Sequence, residues 1–337
     1  MEQTNDFLDI RNLRVEYSSN LETVKAVNSV SFSLERGKTL GLVGETGAGK
    51  TSIARAILGI LPDPPARIPS GEIFFEGRDL LKASQAQMRK IRGARISMIF
   101  QDPMTALNPV LTVGEQIAEA VRQHKGVSKA EAEKECCRML EMVGIPAERR
   151  SEYPHQFSGG MKQRVVIAIA LACSPDLLLA DEPTTALDVT IQAQVLELIH
   201  NLQQKRKMAM ILITHDFGIV AESCDDIAVV YAGQIVEYGS IEQVFSDKLH
   251  PYTQGLFGSI PKLTGKVERL HSIEGMPPDP TNLPKGCFFS PRCRYATESC
   301  RAEGEVPLRD IGNGHLCRCL YTEKIREEGG KNDAESD

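Results

Sequence analysis

The residues with the most specific chemistry are Gly44, Glu45, Thr46, Gly47, Ala48, Gly49, Lys50 and Thr51, an unbroken G-x-x-x-x-G-K-T followed by Ser52. Glycines at these positions let backbone N–H groups close around phosphate oxygens, and the positive end of a following helix strengthens those donors. Lys50 reaches the β- and γ-phosphates, and Thr51 places its hydroxyl on a magnesium ion. The apolar run Thr39–Val43 precedes the loop and Ser52–Leu58 follows it. The loop therefore joins a buried strand to a helix, the context this phosphate-binding motif requires.

Carboxylates complete the set far downstream. Leu177-Leu-Leu-Ala-Asp-Glu182 reads as a buried parallel strand that ends where ligands bind in open α/β sheets. Asp181 falls on the magnesium side, and Glu182 is placed to orient or deprotonate an attacking water. Alone, the segment is a strand followed by two helix-capping acids; the intact phosphate loop favours the catalytic reading.

Between the two lies Phe157-Ser-Gly-Gly-Met-Lys-Gln-Arg164. Ser158 caps a helix, while Gly159 and Gly160 leave its first amides open as a second anion site. With this Ser-Gly-Gly core the chain resembles the ATP-binding subunits of ABC transporters. The resemblance implies that Gln101, in Ile-Phe-Gln-Asp-Pro, senses magnesium and contacts a membrane subunit. It implies that Asp188, in Thr184-Thr-Ala-Leu-Asp188, lies on a loop crossing a dimer seam, that His215 is the switch histidine, and that Tyr17 stacks on adenine. Singly, Gln101 is a solvated loop residue, His215 a core histidine and Tyr17 an edge-strand aromatic. Together, in family order, they point to two subunits sandwiching two ATP molecules, with Ser158 and Gly160 facing the partner's nucleotide.

The positioning elements follow from changes of pattern. Residues 7–35 alternate like antiparallel strands, and the phosphate loop opens an α/β core. Leu107 to Arg150 turns helical, Val113–Val121 and Ser128–Val143 carrying amphipathic spacing. Gly233–Gly239 reads as a hairpin closing the core. The expected fold is an ABC-type P-loop nucleotide-binding domain over residues 1–245, with an antiparallel β subdomain and a helical subdomain at about 102–160. A small C-terminal metal-binding extension is expected over 246–322, and a disordered, charged tail over 323–337. The core motifs end near residue 240, so the extension is expected to be dispensable for nucleotide binding.

That extension opens His250-Pro-Tyr-Thr-Gln-Gly-Leu256 and is similar to the one in dipeptide, oligopeptide and nickel uptake systems. Five of the nine cysteines crowd into it: Cys287, Cys293, Cys300, Cys317 and Cys319. Thiols gathered on a loop-rich segment bind a soft metal or form disulfides, and a cytoplasmic compartment favours metal. The gaps of five and six residues between the first three are wider than in structural zinc knuckles, and irregular spacing also serves iron–sulfur clusters. The resemblance implies a 4Fe-4S cluster ahead of zinc, with Cys287, Cys293, Cys300 and Cys319 as ligands and Cys317 as the alternate.

The formal charge of −6 argues against a phosphate-tracking surface and hence against a nucleic-acid partner. The longest apolar stretch, Val165–Cys173, is far short of the roughly 20 residues of a spanning helix. The polar, acidic start carries no secretory or mitochondrial address. These features agree with a soluble cytoplasmic protein, and the resemblance implies that permease subunits hold it at the cytoplasmic face of the membrane. The expected function is ATP hydrolysis that powers import of dipeptides or oligopeptides, with Mg2+ and a second ATPase subunit, identical or paralogous. An extracytoplasmic binding protein would take part indirectly. Nickel or opine import, and a soluble ABC ATPase outside transport, are the alternatives.

Overall fold

The computed structural model describes residues 7–19, 21–184, 189–259 and 273–327. Strand β1 (Leu8–Ser18) pairs antiparallel with β2 (Thr23–Leu34), Leu8 facing Leu34 and Ser18 facing Thr23. Leu8, Ile10, Leu13 and Val15 of β1 are buried, the period-2 pattern interrupted once by a register shift between Ile10 and Leu13. Strand β3 (Thr39–Val43) is buried throughout and starts a second sheet. Short strands β4 (Ala66–Arg67), β5 (Glu72–Phe75) and β6 (Arg78–Asp79) complete the first.

The second sheet gathers β7 (Ile96–Ile99), β8 (Leu177–Asp181), β9 (Ala209–Thr214), β10 (Asp226–Tyr231), β11 (Gln234–Ser240), β12 (Arg309–Asp310) and β13 (Leu316–Cys317) with β3. Its order is β12-β13-β11-β10-β3-β9-β8-β7. From β10 to β7 every pairing is parallel. β7, β8, β9 and β3 are buried residue by residue, the near-continuous apolar character of strands covered on both faces. The segment expected to be a hairpin by itself, Gly233–Gly239, supplies only the second strand, β11, of a hairpin with β10.

One face of this sheet packs through Leu40, Leu42, Leu177, Leu179, Ile211 and Ile213 against the antiparallel sheet and the helix Lys50–Leu58. The other packs through Leu178, Ala180, Met210 and Leu212 against a helical layer. That layer holds the helices Val113–Lys125, Lys129–Met142 and Gly159–Leu171. Thr112 with Glu115, and Ser128 with Glu131, form reciprocal capping boxes that fix where the first two begin.

Two features cross the expected boundaries. The sheet runs past residue 245, because Leu316 and Cys317 of the extension pair with Tyr238 and Glu237. The tail also begins later than expected. Residues 322–327 are helical, Ile325 is fully buried and Arg326 pairs with Asp247 at 2.6 Å. Local charge density pointed to disorder at 323, but the one apolar residue there found cover. Residues 328–337 lie outside the described residues.

Candidate functional site

Register brings the chemistry together. Val43 lies beside Thr214, and Ile213 beside Asp181, so β3, β9 and β8 end level at one edge of the sheet. The phosphate loop, His215 and the Asp181–Glu182 pair therefore leave the sheet side by side. Gly44, Gly47 and Gly49 have φ of 152°, 81° and 100°, a region that side chains disfavour. A Cβ on Gly49 would lie 2.2 Å from the Ala26 carbonyl oxygen, and one on Gly44 2.1 Å from that of Val230. Close approach of neighbouring backbone demands glycine at both positions.

Lys50 is 6% exposed and its ammonium donates to the carbonyls of Gly44 at 2.7 Å and Glu45 at 3.0 Å. Burial lowers its pKa, against the pull of Glu182, Asp181 and Glu45. Thr51 donates its hydroxyl to Asp181 at 3.1 Å. Burial pushes the Asp181 carboxyl above its usual range; the Thr51 hydrogen bond opposes this, and neighbouring Glu182 adds to it. A buried carboxylate beside a second carboxylate is electrostatically short of positive charge. A magnesium ion on Thr51 and Asp181 fits that deficit.

Glu182 sits at φ 46°, a strained conformation for a non-glycine residue, held by its N–H donating to Ile213 at 2.9 Å. Gln101 donates to its carboxylate at 2.8 Å, and His215 Nδ1 lies 3.6 Å from the other oxygen. The His215 side chain is 71% exposed, so it is no core histidine. The Tyr17 hydroxyl hydrogen-bonds that of Ser52 at 3.0 Å, which sets the ring against the start of the phosphate-loop helix. Ser158 caps the helix Gly159–Leu171, accepting from the Met161 N–H at 3.4 Å. A Cβ on Gly160 would press on Ile191 at 2.7 Å, while Gly159 faces open space. Asp188 lies outside the described residues.

A family model described as ABC transporter matches residues 27–185, and one described as oligopeptide/dipeptide transporter, C-terminal region, matches residues 236–300. The chain is 53% identical over 288 residues to the dipeptide transport ATP-binding protein DppD of Bacillus subtilis, covering 85% of this chain and 86% of that one. It is 48% identical to the oligopeptide transport ATP-binding protein OppD of Haemophilus influenzae, over 95% and 99% of the two chains. The chain belongs to the ABC transporter ATP-binding proteins, in their oligopeptide/dipeptide branch. A solved dimeric, post-hydrolysis cassette, MJ0796 bound to ADP and Pi, superposes with a TM-score of 0.63 at 25% identity, over 69% of this chain and 98% of that one.

The branch-specific extension surrounds a cavity lined by Cys287, Cys293, Cys300 and Cys319, among Phe289, Ser290 and Arg318. Cys317 is absent from that lining. It lies fully buried in β13, opposite Glu237. Among the described residues no three His, Cys, Asp or Glu side chains converge tightly enough for one metal ion. Burial raises the pKa of Cys287 and Cys293 and pushes Cys319 up to about 11. Backbone N–H groups nevertheless aim at the sulfurs: those of Phe289 and Ser290 at Cys287, Tyr295 at Cys293 and Tyr321 at Cys319. Such donors favour thiolates, and hydrogen bonds to sulfur are a feature of cluster sites.

Sequence reasoning treated the extension as separable from nucleotide binding, yet in the structure it touches the phosphate loop. Arg292, one residue before Cys293, forms a bidentate pair with Glu45 of the phosphate loop at 2.9 and 3.0 Å. The Glu45 N–H donates to the Tyr252 hydroxyl at 2.9 Å. The only trace of this in the sequence is an acidic residue inside a loop that binds anions. That acid calls for a cation, but nothing in the spacing says which.

Proposed function

We propose that this chain is the ATP-hydrolysing subunit that powers import of dipeptides or oligopeptides through a separate membrane permease. What carries the reading is the convergence of Lys50, Thr51, Asp181, Glu182, Gln101 and His215 at one sheet edge, within a chain that matches the ABC transporter model over residues 27–185 and the oligopeptide/dipeptide transporter C-terminal model over residues 236–300. Lys50 leaves the loop carbonyls for the β- and γ-phosphates. Thr51 and Asp181 hold Mg2+, which offsets triphosphate charge when bound. Gln101 and His215 fix the Glu182 carboxylate, which accepts a proton from the attacking water as the bond to the γ-phosphorus forms. Tyr17 packs on the adenine.

Two copies, or this chain and a paralogue, close on two ATP molecules, each offering Ser158, Gly159, Gly160 and Asp188 to the other's nucleotide. The chain works at the cytoplasmic face of the membrane; among the described residues no helix is long and apolar enough to cross it. Closure on ATP is favoured only through contacts that the open dimer lacks, and the signature helix supplies them. In vesicles with its permease and an external peptide-binding protein, Ser158→Arg is expected to stop ATP-driven peptide uptake while the isolated chain still binds MgATP. Loss of nucleotide binding by the isolated mutant chain would put Ser158 in its own chain's site and sink the sandwich arrangement. Uptake of nickel instead of peptide by the wild type would reassign the cargo.

The extension holds a 4Fe-4S cluster on Cys287, Cys293, Cys300 and Cys319. The support is the shared cavity and the N–H donors aimed at the sulfurs. When bound, the cluster cross-links four points of a lobe poor in regular structure. Anaerobically purified protein is expected to carry iron and acid-labile sulfide, with most of the iron lost in Cys287→Ser, Cys293→Ser, Cys300→Ser and Cys319→Ser. Cys317→Ser is expected to keep it, since that sulfur is enclosed in β13. Stoichiometric zinc in place of iron would defeat the cluster, and no metal at all would defeat the site.

A further inference from the structure

An acid in a phosphate cradle needs an explanation. Glu45 is the first residue after Gly44, and its own carbonyl accepts from Lys50. A carboxylate there opposes the charge of a bound triphosphate unless a fixed cation cancels it. Arg292 supplies that cation from more than two hundred residues away, as the 247-residue separation of the pair records. Its side chain is 5% exposed, and Glu45 is held from both oxygens.

The guanidinium is fixed on every side. Its Nε donates to the Glu274 carbonyl at 3.1 Å, and its Nη atoms reach the Ile273 carbonyl and the Tyr231 hydroxyl, each at 3.4 Å. Tyr231 ends β10, and its ring packs on Tyr252 at 4.6 Å and on Phe289 at 5.1 Å. Tyr252 in turn receives the Glu45 N–H. Both the charge and the backbone of Glu45 are therefore set by the extension. A planar, always-charged fork is suited to this task, because it holds a carboxylate in one plane at two points.

We propose that Arg292 is a positioning residue of the nucleotide site: it neutralises Glu45 and holds the phosphate loop open to the triphosphate, so that ATP affinity depends on the docked extension. The proposal rests on the nucleotide-site reading above. The test is titration of the isolated full-length chain with MgATP. Wild type is expected to bind and Lys50→Ala to lose binding, which checks the site itself. Arg292→Gln is expected to raise the Kd for MgATP at least about 10-fold.

Adding Glu45→Gln to Arg292→Gln is expected to recover most of that loss, because the uncompensated acid is gone; a purely structural rivet gives no such recovery. Arg292→Lys, which keeps the charge but not the fork, is expected to weaken binding about threefold and covers the case in which Arg292→Gln does not fold. If wild type and Arg292→Gln bind within twofold of each other, or the double variant binds no better than Arg292→Gln, the proposal is overturned with the site reading intact. Wild-type affinity in Arg292→Lys overturns it as well. Failure of wild type itself to bind MgATP would overturn the site reading and the proposal with it.

Discussion

Glu182→Gln is expected to lower ATP turnover at least ~100-fold, the scale of losing general-base help, while ATP still binds. The isosteric amide accepts no proton from water, yet it fills the same space between Gln101 and His215. Lys50, Thr51 and Asp181, proposed above to engage the phosphates and the magnesium, are untouched. Nucleotide is then expected to accumulate unhydrolysed on a closed dimer, visible as an ATP-dependent shift to twice the monomer mass. The measurement is single-turnover hydrolysis alongside MgATP titration. Turnover within a few-fold of wild type would remove Glu182 from the reaction, and a parallel loss of ATP affinity would make it a binding residue instead.

Gly49→Ala is expected to be as damaging by a different route. Its new Cβ would meet the Ala26 carbonyl oxygen at 2.2 Å, at φ 100°. Neither partner can step aside, since Gly233 is wedged against the same carbonyl and its N–H donates to Ala48 at 2.9 Å. Overpacking and left-handed strain together cost on the order of 3 kcal/mol, and the loop cannot close on phosphate. Gly47→Ala makes the comparison: its φ is 81° but its Cβ would meet open space, so only the conformational cost of roughly 1–2 kcal/mol remains. Denaturant midpoints should rank wild type, Gly47→Ala, then Gly49→Ala, with MgATP binding lost in the last. A Gly49→Ala protein as stable as wild type would show that the loop does not hold this conformation in solution.

Much of the cassette was legible along the chain, because its signals are local. A strand–loop–helix phosphate motif needs only neighbouring residues, and so do the alternation in β1 and β2, the capping boxes at Thr112 and Ser128, and the apolar run before Asp181–Glu182. The choice of Cys319 over Cys317 came from family spacing. The structure places the first on the shared cavity and the second inside a strand.

What the sequence determined by itself was the chemistry available: a phosphate cradle, two carboxylates, a histidine, a capped glycine-rich helix and a cluster of thiols. Tertiary structure alone decided how the pieces are coupled. Level strand ends in β7, β8 and β9 set Gln101, Glu182 and His215 within reach of one another, although 114 residues separate the first from the last. The extension joined the cassette's own sheet through β13, and Arg292 reached Glu45 across the molecule. The physical reason is that pairing of this kind is a matter of register and burial. An ion pair between residues 45 and 292 leaves no periodicity in either stretch, and only the fold brings the acid and the cation to the same place.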